Sequence, residues 1–384
     1  MWALKVVAKM TQRMNQNSIG SPNRWLAQWL SKINGPLFGL FVVLLFIALL
    51  CLCGCEPSKR AASNATAGAN GPVGATSQSG QSTADRVTLM LNWYPEAEHG
   101  GFFAAKVHGI FAKYNLDVEI RPGGENAPVA QELVTRRAQF AIGNADDVLL
   151  FREQGVDVVA LLAPIQQTPR CIMVRADSGI NSLSELKGLT LQAGLGQAFL
   201  SFMEARGMLE GVQVVPYVGS VARFVADDKT AIQAYNFSEP HLAEQKGVKV
   251  KTLMLSEIGF NPYASCLLAT GSYVKQRQGL CERMVQACRE GWQKYLESPA
   301  ETNAAILALD PERMTSEALA YGVEQLKPLC QPAAEETAEL GGMSLARWKK
   351  LVEQFSELKL ITPGKVEASA GFVELPAPKV EDHP

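Results

Sequence analysis

A short loop near the start of the globular part of the chain carries side chains suited to holding a small molecule. In the motif LNWYPEAEH the aromatic residues Trp93 and Tyr94 are followed closely by Glu96, Glu98 and His99. Aromatic rings stack on flat ligands, and carboxyl and imidazole groups hydrogen-bond to the edge of a ring. The loop therefore predicts a site in which Trp93 and Tyr94 sandwich a planar ring. The alternative is that both rings belong to the core and that His99 caps a helix.

Further candidates lie where other strands are predicted to end. The turn AGLGQA follows a strand and opens a helix, so its backbone N–H groups could receive an anionic or carbonyl oxygen. Glu239, in the motif YNFSEP, could accept hydrogen bonds from a ring amine. Tight turns, surface turns and hinge positions are the alternative interpretations. The candidate ligand-binding residues outside the aromatic loop are Asn144, Gln166, Gly194, Gly196, Gln197, Tyr235, Glu239, Asn261 and Tyr263.

The spacing of the remaining reactive side chains indicates neither a catalytic set nor a metal site. The four histidines do not have the spacing of metal ligands, and no Ser/His/Asp set is visible. Asp147 is placed to stabilise the start of a helix, and contact with a ligand is the alternative. We therefore predict no catalytic residue, no metal and no cofactor.

The amino-terminal segment predicts export and a lipid anchor. Residues 1–35 carry five basic and no acidic residues, and the apolar run LFGLFVVLLFIALLCLCGC follows them. This charge asymmetry holds a leader on the cytoplasmic side while the following chain is exported. The small residues before Cys55 resemble the bacterial lipoprotein processing box, in which that cysteine is lipidated. An uncleaved transmembrane helix is the alternative.

The charge balance and the cysteine count limit the kinds of partner and the disulfides that the protein can have. Removing the five basic residues of the leader from the total of 36 leaves 31 against 38 acidic residues, a formal charge of −7. This balance argues against a nucleic-acid partner. Beyond the leader the number of cysteines is odd and no C-x-x-C occurs, so a complete disulfide framework is excluded. We expect buried thiols, and one or two disulfides are the alternative. These cysteines are Cys171, Cys266, Cys281, Cys288 and Cys330.

Past residue 85, short β-rich runs alternate with helical stretches. This alternation predicts an α/β fold with mainly parallel sheets and helices on both faces. Extended segments near 167–175 and 260–270 indicate that the chain leaves one lobe, builds a second and returns, with the ligand in the cleft between them. The predicted parts are a signal peptide at 1–54, a disordered tether at 55–85, lobe 1 with the C-terminal helices at 86–175 plus 264–384, and lobe 2 at 176–263.

The order of several motifs is similar to that of a known group of proteins. The segments LNWYPEAEHGGFFAAKVHGIFAKYNLDVEI, GNADDVLLFREQGVDVVALLAPIQQTPRCIMVRADSGINSLSELKG and KLITPGKVEASAGFVELP resemble the thiamine-pyrimidine-synthase-like periplasmic binding proteins, relatives of the nitrate, sulfonate, taurine and formylaminopyrimidine binding proteins of ABC importers. The resemblance covers roughly residues 86–380. It implies a periplasmic-binding-protein type II fold, with two α/β lobes joined by a two-segment hinge.

The same resemblance implies a function and a location. We expect a monomeric substrate-binding protein, lipid-anchored at the extracytoplasmic or periplasmic face of a bacterial membrane, that delivers a small solute to an ABC permease and its ATPase. The expected ligand is a thiamine-type pyrimidine or another flat nitrogen heterocycle. Riboflavin remains an alternative, as do nitrate, sulfonate and taurine, although Glu98 and Glu239 count against these anions.

The group also contains an enzyme branch, from which this sequence departs. In the aligned segments the pyridoxal-phosphate-binding lysine and the donor histidine of that branch fall near Gly143 and Asp147, and its cysteine cluster is replaced by NPYAS. Without the amine, the imidazole and the thiolates, that chemistry lacks its nucleophile and its iron ligands. The resemblance therefore implies binding rather than synthesis; an extracytoplasmic enzyme or a sensor acting on thiamine precursors is the alternative.

Overall fold

The computed structural model describes residues 84–331 and 339–377. The predicted signal peptide, Cys55 and the tether up to residue 83 lie outside these residues. Within the described part of the chain, no helix is both long enough and apolar enough to cross a bilayer.

Two five-stranded sheets organise the described residues. Sheet 1 has the strand order β2-β1-β3-β10-β4, and sheet 2 has the order β7-β6-β8-β5-β9. The strands are β1 (Asp85–Met90), β2 (Leu116–Arg121), β3 (Phe140–Gly143), β4 (Val158–Leu162), β5 (Arg170–Arg175), β6 (Thr190–Ala193), β7 (Gln213–Pro216), β8 (Thr230–Tyr235), β9 (Val250–Met254) and β10 (Cys266–Thr270).

Each sheet is mixed, with four strands running one way and one strand running against them. In sheet 1, β10 is antiparallel to both β3 and β4. In sheet 2, β5 is antiparallel to both β8 and β9. Both reversed strands arrive directly from the other sheet without a crossover helix, whereas the parallel neighbours are joined through helices. The predicted α/β fold is therefore confirmed. Four of the five strands in each sheet run in the same direction, as predicted, and only β10 and β5 are reversed.

The position of β5 corrects one detail of the predicted division. Arg170–Arg175 was expected in lobe 1, but β5 is hydrogen-bonded within sheet 2. The crossover from sheet 1 therefore ends before Arg170. It pairs with the returning crossover through the bridge between Ile165 and Ala264.

The helices cover both sheets and split where the local sequence requires it. The helical stretch after β1 is interrupted at Gly109, whose φ of +68° glycine adopts without strain. The helices are α1 (Gly100–Val107), α2 (Ile110–Lys113), α3 (Val129–Val134), α4 (Ala145–Glu153), α5 (Ala198–Glu204), α6 (Ala222–Ala226), α7 (Glu239–Gln245), α8 (Gly271–Gln276), α9 (Gln278–Glu297), α10 (Ala300–Leu309), α11 (Ser316–Leu329) and α12 (Leu345–Glu357).

Apolar side chains on alternate faces of the strands build the cores. In β5, Cys171 and Met173 pack on one side of sheet 2, while Ile172 and Val174 pack on the other. On sheet 1, α1 packs against α9, with Phe102 edge-on to Trp292. The five cysteines beyond the leader are all buried and unpaired.

The carboxyl-terminal segment is tied to the edge of sheet 1. The Val373 N–H donates to the Ala160 carbonyl and the Ala160 N–H donates to the Gly371 carbonyl, both at 2.9 Å. The rings of Trp348 and Phe372 stack 5.7 Å apart. The closing segment that resembled the family therefore extends the sheet beside β4.

Candidate functional site

A cavity of about 530 Å³ lies between the two sheets, within the size range of small-molecule sites. It is formed at the carboxyl ends of β1, β3, β6, β7 and β8, where α/β sheets place their ligands. Its wall is largely polar. The polar side chains that line it are Asn92, Glu96, Glu98, Glu125, Asn126, Asn144, Asp147, Arg170, Gln197, Tyr217, Gln233, Tyr235 and Glu239.

Seven of the thirteen predicted ligand-binding residues line this cavity. They are Trp93, Glu98, Asn144, Gly194, Gln197, Tyr235 and Glu239. Of the other six, His99 lies behind the wall, Tyr94 lines a neighbouring pocket and Gly196 is exposed in the turn after β6. The remaining three, Gln166, Asn261 and Tyr263, lie in the crossovers. Their role in binding, like that of the seven, stays a prediction.

Trp93 and Tyr94 do not form the expected sandwich. Their ring centroids are 5.3 Å apart and their planes lie 80° apart, so neither ring can face the other across a ligand. Trp93 lines the cavity, whereas Tyr94 lines a smaller pocket of about 60 Å³ beside it. The guanidinium of Arg313 covers the Tyr94 ring at 3.7 Å from its centroid. Of these two rings, Trp93 alone lines the main cavity.

His99 is fully buried behind Glu98 and does not line the cavity. Its Nδ1 accepts the Glu96 N–H at 3.4 Å. Nε2 therefore carries the proton of the neutral ring and lies 3.0 Å from Asn92 Oδ1 and 3.2 Å from Glu98 Oε1. Burial lowers the pKa of His99 to about 3, which keeps the ring neutral. His99 thus orients the loop, as in the structural role that the sequence left open.

Glu239 stands at the start of α7 with both carboxyl oxygens already bonded. The Tyr217 hydroxyl donates to Oε1 and the Tyr235 N–H donates to Oε2, each at 2.8 Å. Burial raises the pKa of Glu239, and the two hydrogen bonds oppose this shift. A ligand amine would therefore share these oxygens with two protein donors.

Asn144 and Asp147 form the wall contributed by sheet 1. Asn144 Nδ2 donates to the Tyr235 hydroxyl at 3.3 Å, which joins the two sheets across the cavity. Asp147 Oδ2 accepts the Asn144 N–H at 3.0 Å and so caps α4, as its position at a helix start predicted. Burial and the charge of Asp146 raise the pKa of Asp147 to about 7.

The turn after β6 offers fewer free donors than expected. The Gly194 N–H donates to Gln233 Oε1 at 2.7 Å, and Gln197 Oε1 accepts from Arg170 at 3.0 Å. Gly196 has a φ of +79° and does not line the cavity. The Gly194 N–H is thus taken up by a protein side chain, and the binding of a ligand oxygen by this turn stays a prediction.

Gln166, Asn261 and Tyr263 belong to the crossovers. Gln166 Nε2 donates to the Ala163 and Gly342 carbonyls at 2.7 and 2.9 Å. Asn261 Oδ1 accepts the Thr168 N–H at 2.8 Å. The Tyr263 hydroxyl accepts the backbone N–H of residue 344 at 3.0 Å. Of the two roles that the sequence allowed, these contacts fit the hinge role, because none of the three lines the cavity.

Arg170 is a cavity residue that the sequence reasoning missed. Its side chain donates to Gln197 Oε1 at 3.0 Å and to the Tyr235 hydroxyl at 3.3 Å. Burial disfavours its charge, but the neighbouring groups Tyr235, Asp146 and Asp147 outweigh that effect and raise the pKa of the guanidinium. The alternation of side chains along β5 could have indicated its burial, because Arg170 lies on the same face of the strand as the buried Ile172 and Val174.

Other missed residues have a similar explanation. Gln233 lies on the same face of β8 as the predicted residue Tyr235, opposite the face of Ile232 and Ala234. A glutamine inside an apolar strand was the signal that could have identified it. Tyr217 follows β7 in a turn, and nothing in its spacing pointed to the cavity. Within residues 84–331 and 339–377, no group of three or more His, Cys, Asp or Glu side chains is arranged to hold a metal ion.

Curated relatives match most of the chain at low identity. The riboflavin-binding protein RibY of Chloroflexus aurantiacus is 25% identical over 256 residues, covering 64% of this chain and 73% of that protein. The formylaminopyrimidine-binding protein of Halalkalibacterium halodurans is 22% identical over 277 residues, covering 70% of this chain and 84% of that protein. A 4-amino-5-hydroxymethyl-2-methylpyrimidine phosphate synthase of Legionella pneumophila is 20% identical, covering 61% and 77%.

Solved structures identify the fold. The periplasmic aliphatic sulphonate binding protein SsuA of Escherichia coli superimposes with a TM-score of 0.59 at 13% identity, covering 78% of this chain and 96% of that one. The alkanesulfonate-binding SsuA of Xanthomonas axonopodis gives a TM-score of 0.58 at 12% identity, covering 76% and 99%. The two-sheet architecture is therefore the expected periplasmic-binding-protein fold. The family model described as NMT1/THI5 like matches residues 96–302, more than half of the chain, and the chain belongs to this family.

Proposed function

We propose that this chain is the substrate-binding protein of an ABC importer and that it captures a flat nitrogen heterocycle of the thiamine-pyrimidine type. The observation that carries the proposal is the cavity of about 530 Å³ walled by both sheets at their strand ends. Relatives named for binding riboflavin and formylaminopyrimidine, both built on planar nitrogen rings, support the ligand class.

The chemistry of the wall supports this ligand. Trp93 is half-buried and offers an aromatic ring, while Asn92, Asn144 and Gln233 offer amide groups around it. The Tyr235 hydroxyl accepts from two protein donors, so its own hydrogen is left to donate. A pyrimidine with ring nitrogens and an exocyclic amine matches such a mixture of donors and acceptors.

The electrostatics disfavour a nitrate or sulfonate. The cavity is lined by Glu96, Glu98, Asp147 and Glu239 against the single buried cation Arg170 among the described lining residues. Arg170 already donates to two protein acceptors. An anion would therefore find little free positive charge to compensate its own.

The same wall supports binding rather than synthesis. Gly143 and Asp147, at the positions where the enzyme branch is expected to carry its lysine and histidine, both line the cavity. Neither a glycine nor a carboxyl group can form an imine with pyridoxal phosphate. The Legionella relative named as a synthase is thus a relative in sequence, and we assign this chain to transport.

The location and the partners rest on the leader. Export of the two-sheet part and lipidation of Cys55 would hold the binding protein at the outer face of the cytoplasmic membrane or in the periplasm. There it would pass its ligand to a membrane permease driven by an ATPase. Hinge closure needs only a monomer.

Thermal unfolding of the purified full-length chain with candidate ligands tests the proposal. We would compare 4-amino-5-hydroxymethyl-2-methylpyrimidine, formylaminopyrimidine, thiamine, riboflavin, taurine and nitrate. A ligand at 100 times its dissociation constant stabilises the folded state by roughly 2.7 kcal/mol, which is readily seen. We expect one or more of the nitrogen heterocycles to stabilise the protein, and taurine and nitrate to leave its stability unchanged. Stabilisation by taurine or nitrate alone, or turnover of a bound pyrimidine, would contradict the proposal.

A further inference from the structure

Three carboxyl groups from two different sheets meet at one corner of the cavity. Glu96 and Glu98 come from the loop after β1, and Glu239 comes from the start of α7 after β8. All three line the cavity. We call these residues the acid cluster. Ser238 Oγ donates to Glu96 Oε2 at 3.1 Å, so the cluster is assembled by contact between the two sheets.

Glu98 has a hydrogen-bonding position that the protein leaves unused. Its side chain is 1% exposed to solvent, and Oε2 has no hydrogen-bond partner within the described part of the chain. Oε1 is occupied, because Nε2 of the neutral His99 ring lies 3.2 Å away. A buried carboxyl oxygen without a partner is costly unless a ligand or a proton satisfies it. Because Glu98 also lines the cavity, its carboxyl group offers an unused acceptor to a ligand bound there.

Two charged groups shift the pKa of Glu98. Negative charge comes from Glu239, while positive charge comes from Arg170 on β5. Glu96 is influenced by Glu98 and Glu239, and Arg313 beyond the neighbouring pocket partly offsets them. The charge of Arg170 is also shared with the two aspartates of α4, Asp146 and Asp147. The tyrosines Tyr217 and Tyr235 are neutral, since burial raises both of their pKa values.

Because Arg170 is shared with Asp146 and Asp147, the protein supplies the ionised form of Glu98 with little positive charge, and a proton compensates it when the cavity holds no cation. We propose that the ligand is a nitrogen heterocycle that carries a positive charge, that this charge is bound at Oε2 of Glu98, and that binding releases the proton of Glu98 to solvent. The proton balance is simple: protonated Glu98 and the cation give the ionised carboxylate paired with the cation, plus one free proton. This inference deepens the proposed function and rests on it.

The titration of Glu98 gives the inference a pH signature. Burial, followed by the charge of Glu239, raises the pKa of Glu98 to about 8. Below that pH the free protein holds the proton, so the affinity for a cation should rise as the pH increases and level off above about pH 8. An uncharged ligand of the same shape needs no proton release. Its affinity should stay flat or fall over the same range.

A matched pair of pyrimidines tests the charge. 4-Amino-5-aminomethyl-2-methylpyrimidine carries an ammonium group at neutral pH, and 4-amino-5-hydroxymethyl-2-methylpyrimidine is the uncharged counterpart. We expect the full-length chain to bind the cation about tenfold tighter or more at pH 7.5, as measured by titration calorimetry. Calorimetry at pH 6.5 in phosphate and in Tris, which differ in ionisation enthalpy, should report close to one released proton for the cation. At pH 9 the released fraction should fall towards zero.

The variant Glu98→Gln tests the residue. It should weaken binding of the cation by about 30-fold or more and that of the uncharged pyrimidine by less than about threefold. It should also remove the proton release. Glu210→Gln, at an exposed acid outside the cavity, is the matched control and should change neither affinity. If Glu98→Gln does not fold, the pH dependence of the unmodified protein for the two pyrimidines still decides the matter.

The outcomes separate this inference from the proposed function. Equal affinity for the two pyrimidines, with no proton released, would overturn the charge assignment and leave a heterocycle-binding protein. An unchanged cation preference in Glu98→Gln would overturn the role of Glu98. Failure of every nitrogen heterocycle to bind would instead count against the proposed function, and the inference would fall with it.

Discussion

Replacing Arg170 with Met tests whether this guanidinium is the counter-charge that holds the polar cavity wall together. Arg170 is only 6% exposed. It donates to Gln197 Oε1 and to the Tyr235 hydroxyl, and its charge lowers the pKa values of Asp146 and Asp147 against the effect of their burial. Met keeps an unbranched apolar chain at this place but removes the charge and both hydrogen bonds.

The expected loss of stability depends on pH. The lost charge-assisted hydrogen bonds cost about 1.5–3 kcal/mol at any pH. Asp147 has a pKa of about 7, so it is protonated at pH 5 whether or not Arg170 is present. When folding raises the pKa of an acid, the free energy of unfolding falls as the pH rises from the acid's pKa in the unfolded chain to its pKa in the folded protein. Removing Arg170 raises the folded pKa further and extends this loss above pH 7 by up to about 1.4 kcal/mol per pH unit and per acid.

We therefore expect Arg170→Met to cost about 3–5 kcal/mol at pH 9 and about 1.5–3 kcal/mol at pH 5. Urea unfolding followed by circular dichroism measures both values. Adding Asp147→Asn should shrink the difference between them. Arg86→Met is the control, because that side chain is 85% exposed in its pair with Asp117 and should change stability by less than about 0.5 kcal/mol at either pH. An equal loss at both pH values, or a larger loss at pH 5, would refute the reasoning.

Three further changes test the site and the fold. Trp93→Ala should weaken binding of a stacked pyrimidine by about 1 kcal/mol or more in calorimetry, and an unchanged dissociation constant in a folded variant would assign Trp93 to packing. Glu239→Gln should weaken an amine-bearing pyrimidine at least tenfold more than taurine; equal effects on both would exclude the proposed amine contact. Gly291→Ala should destabilise the protein by about 1–3 kcal/mol in thermal unfolding, because its Cβ would overlap the Gly101 carbonyl oxygen of the facing helix α1. Gly279→Ala, in the same helix with nothing within 4 Å, should be neutral or stabilising by up to about 1 kcal/mol, and similar losses for both glycines would contradict the contact.

Local patterns were sufficient to predict the strands, but not their order in the sheets. The run of β5 is buried on both faces, and its β-branched and apolar residues predict a strand without reference to the rest of the chain. The insertion of β10 between β3 and β4 depends on pairing with residues more than a hundred positions away. Such pairing leaves no trace in the local sequence. The α/β class could therefore be predicted, whereas the two reversed strands could not.

The site shows the same division between local and distant information. Glu98 and Glu239 could be predicted because each lies in a polar loop directly after a strand end, where α/β proteins place ligands. Arg170 could not be chosen in this way, because an arginine that opens a strand is usually solvated. It became part of the cavity only because the crossover delivers β5 antiparallel between β8 and β9 of sheet 2.

The electrostatic character of the cavity depends on the two sheets meeting. Ser238 on the side of sheet 2 donates to Glu96, Asn144 on the side of sheet 1 donates to Tyr235, and the Tyr321 hydroxyl of α11 donates to the Asn236 carbonyl at 3.1 Å. If the sheets separated, water would reach these carboxyl groups, and the raised pKa values that follow from burial would relax. Closure, proton uptake by the acid cluster and cation binding are therefore linked. A cation should favour the closed form more strongly as the pH rises towards the pKa of Glu98, because less proton must be displaced.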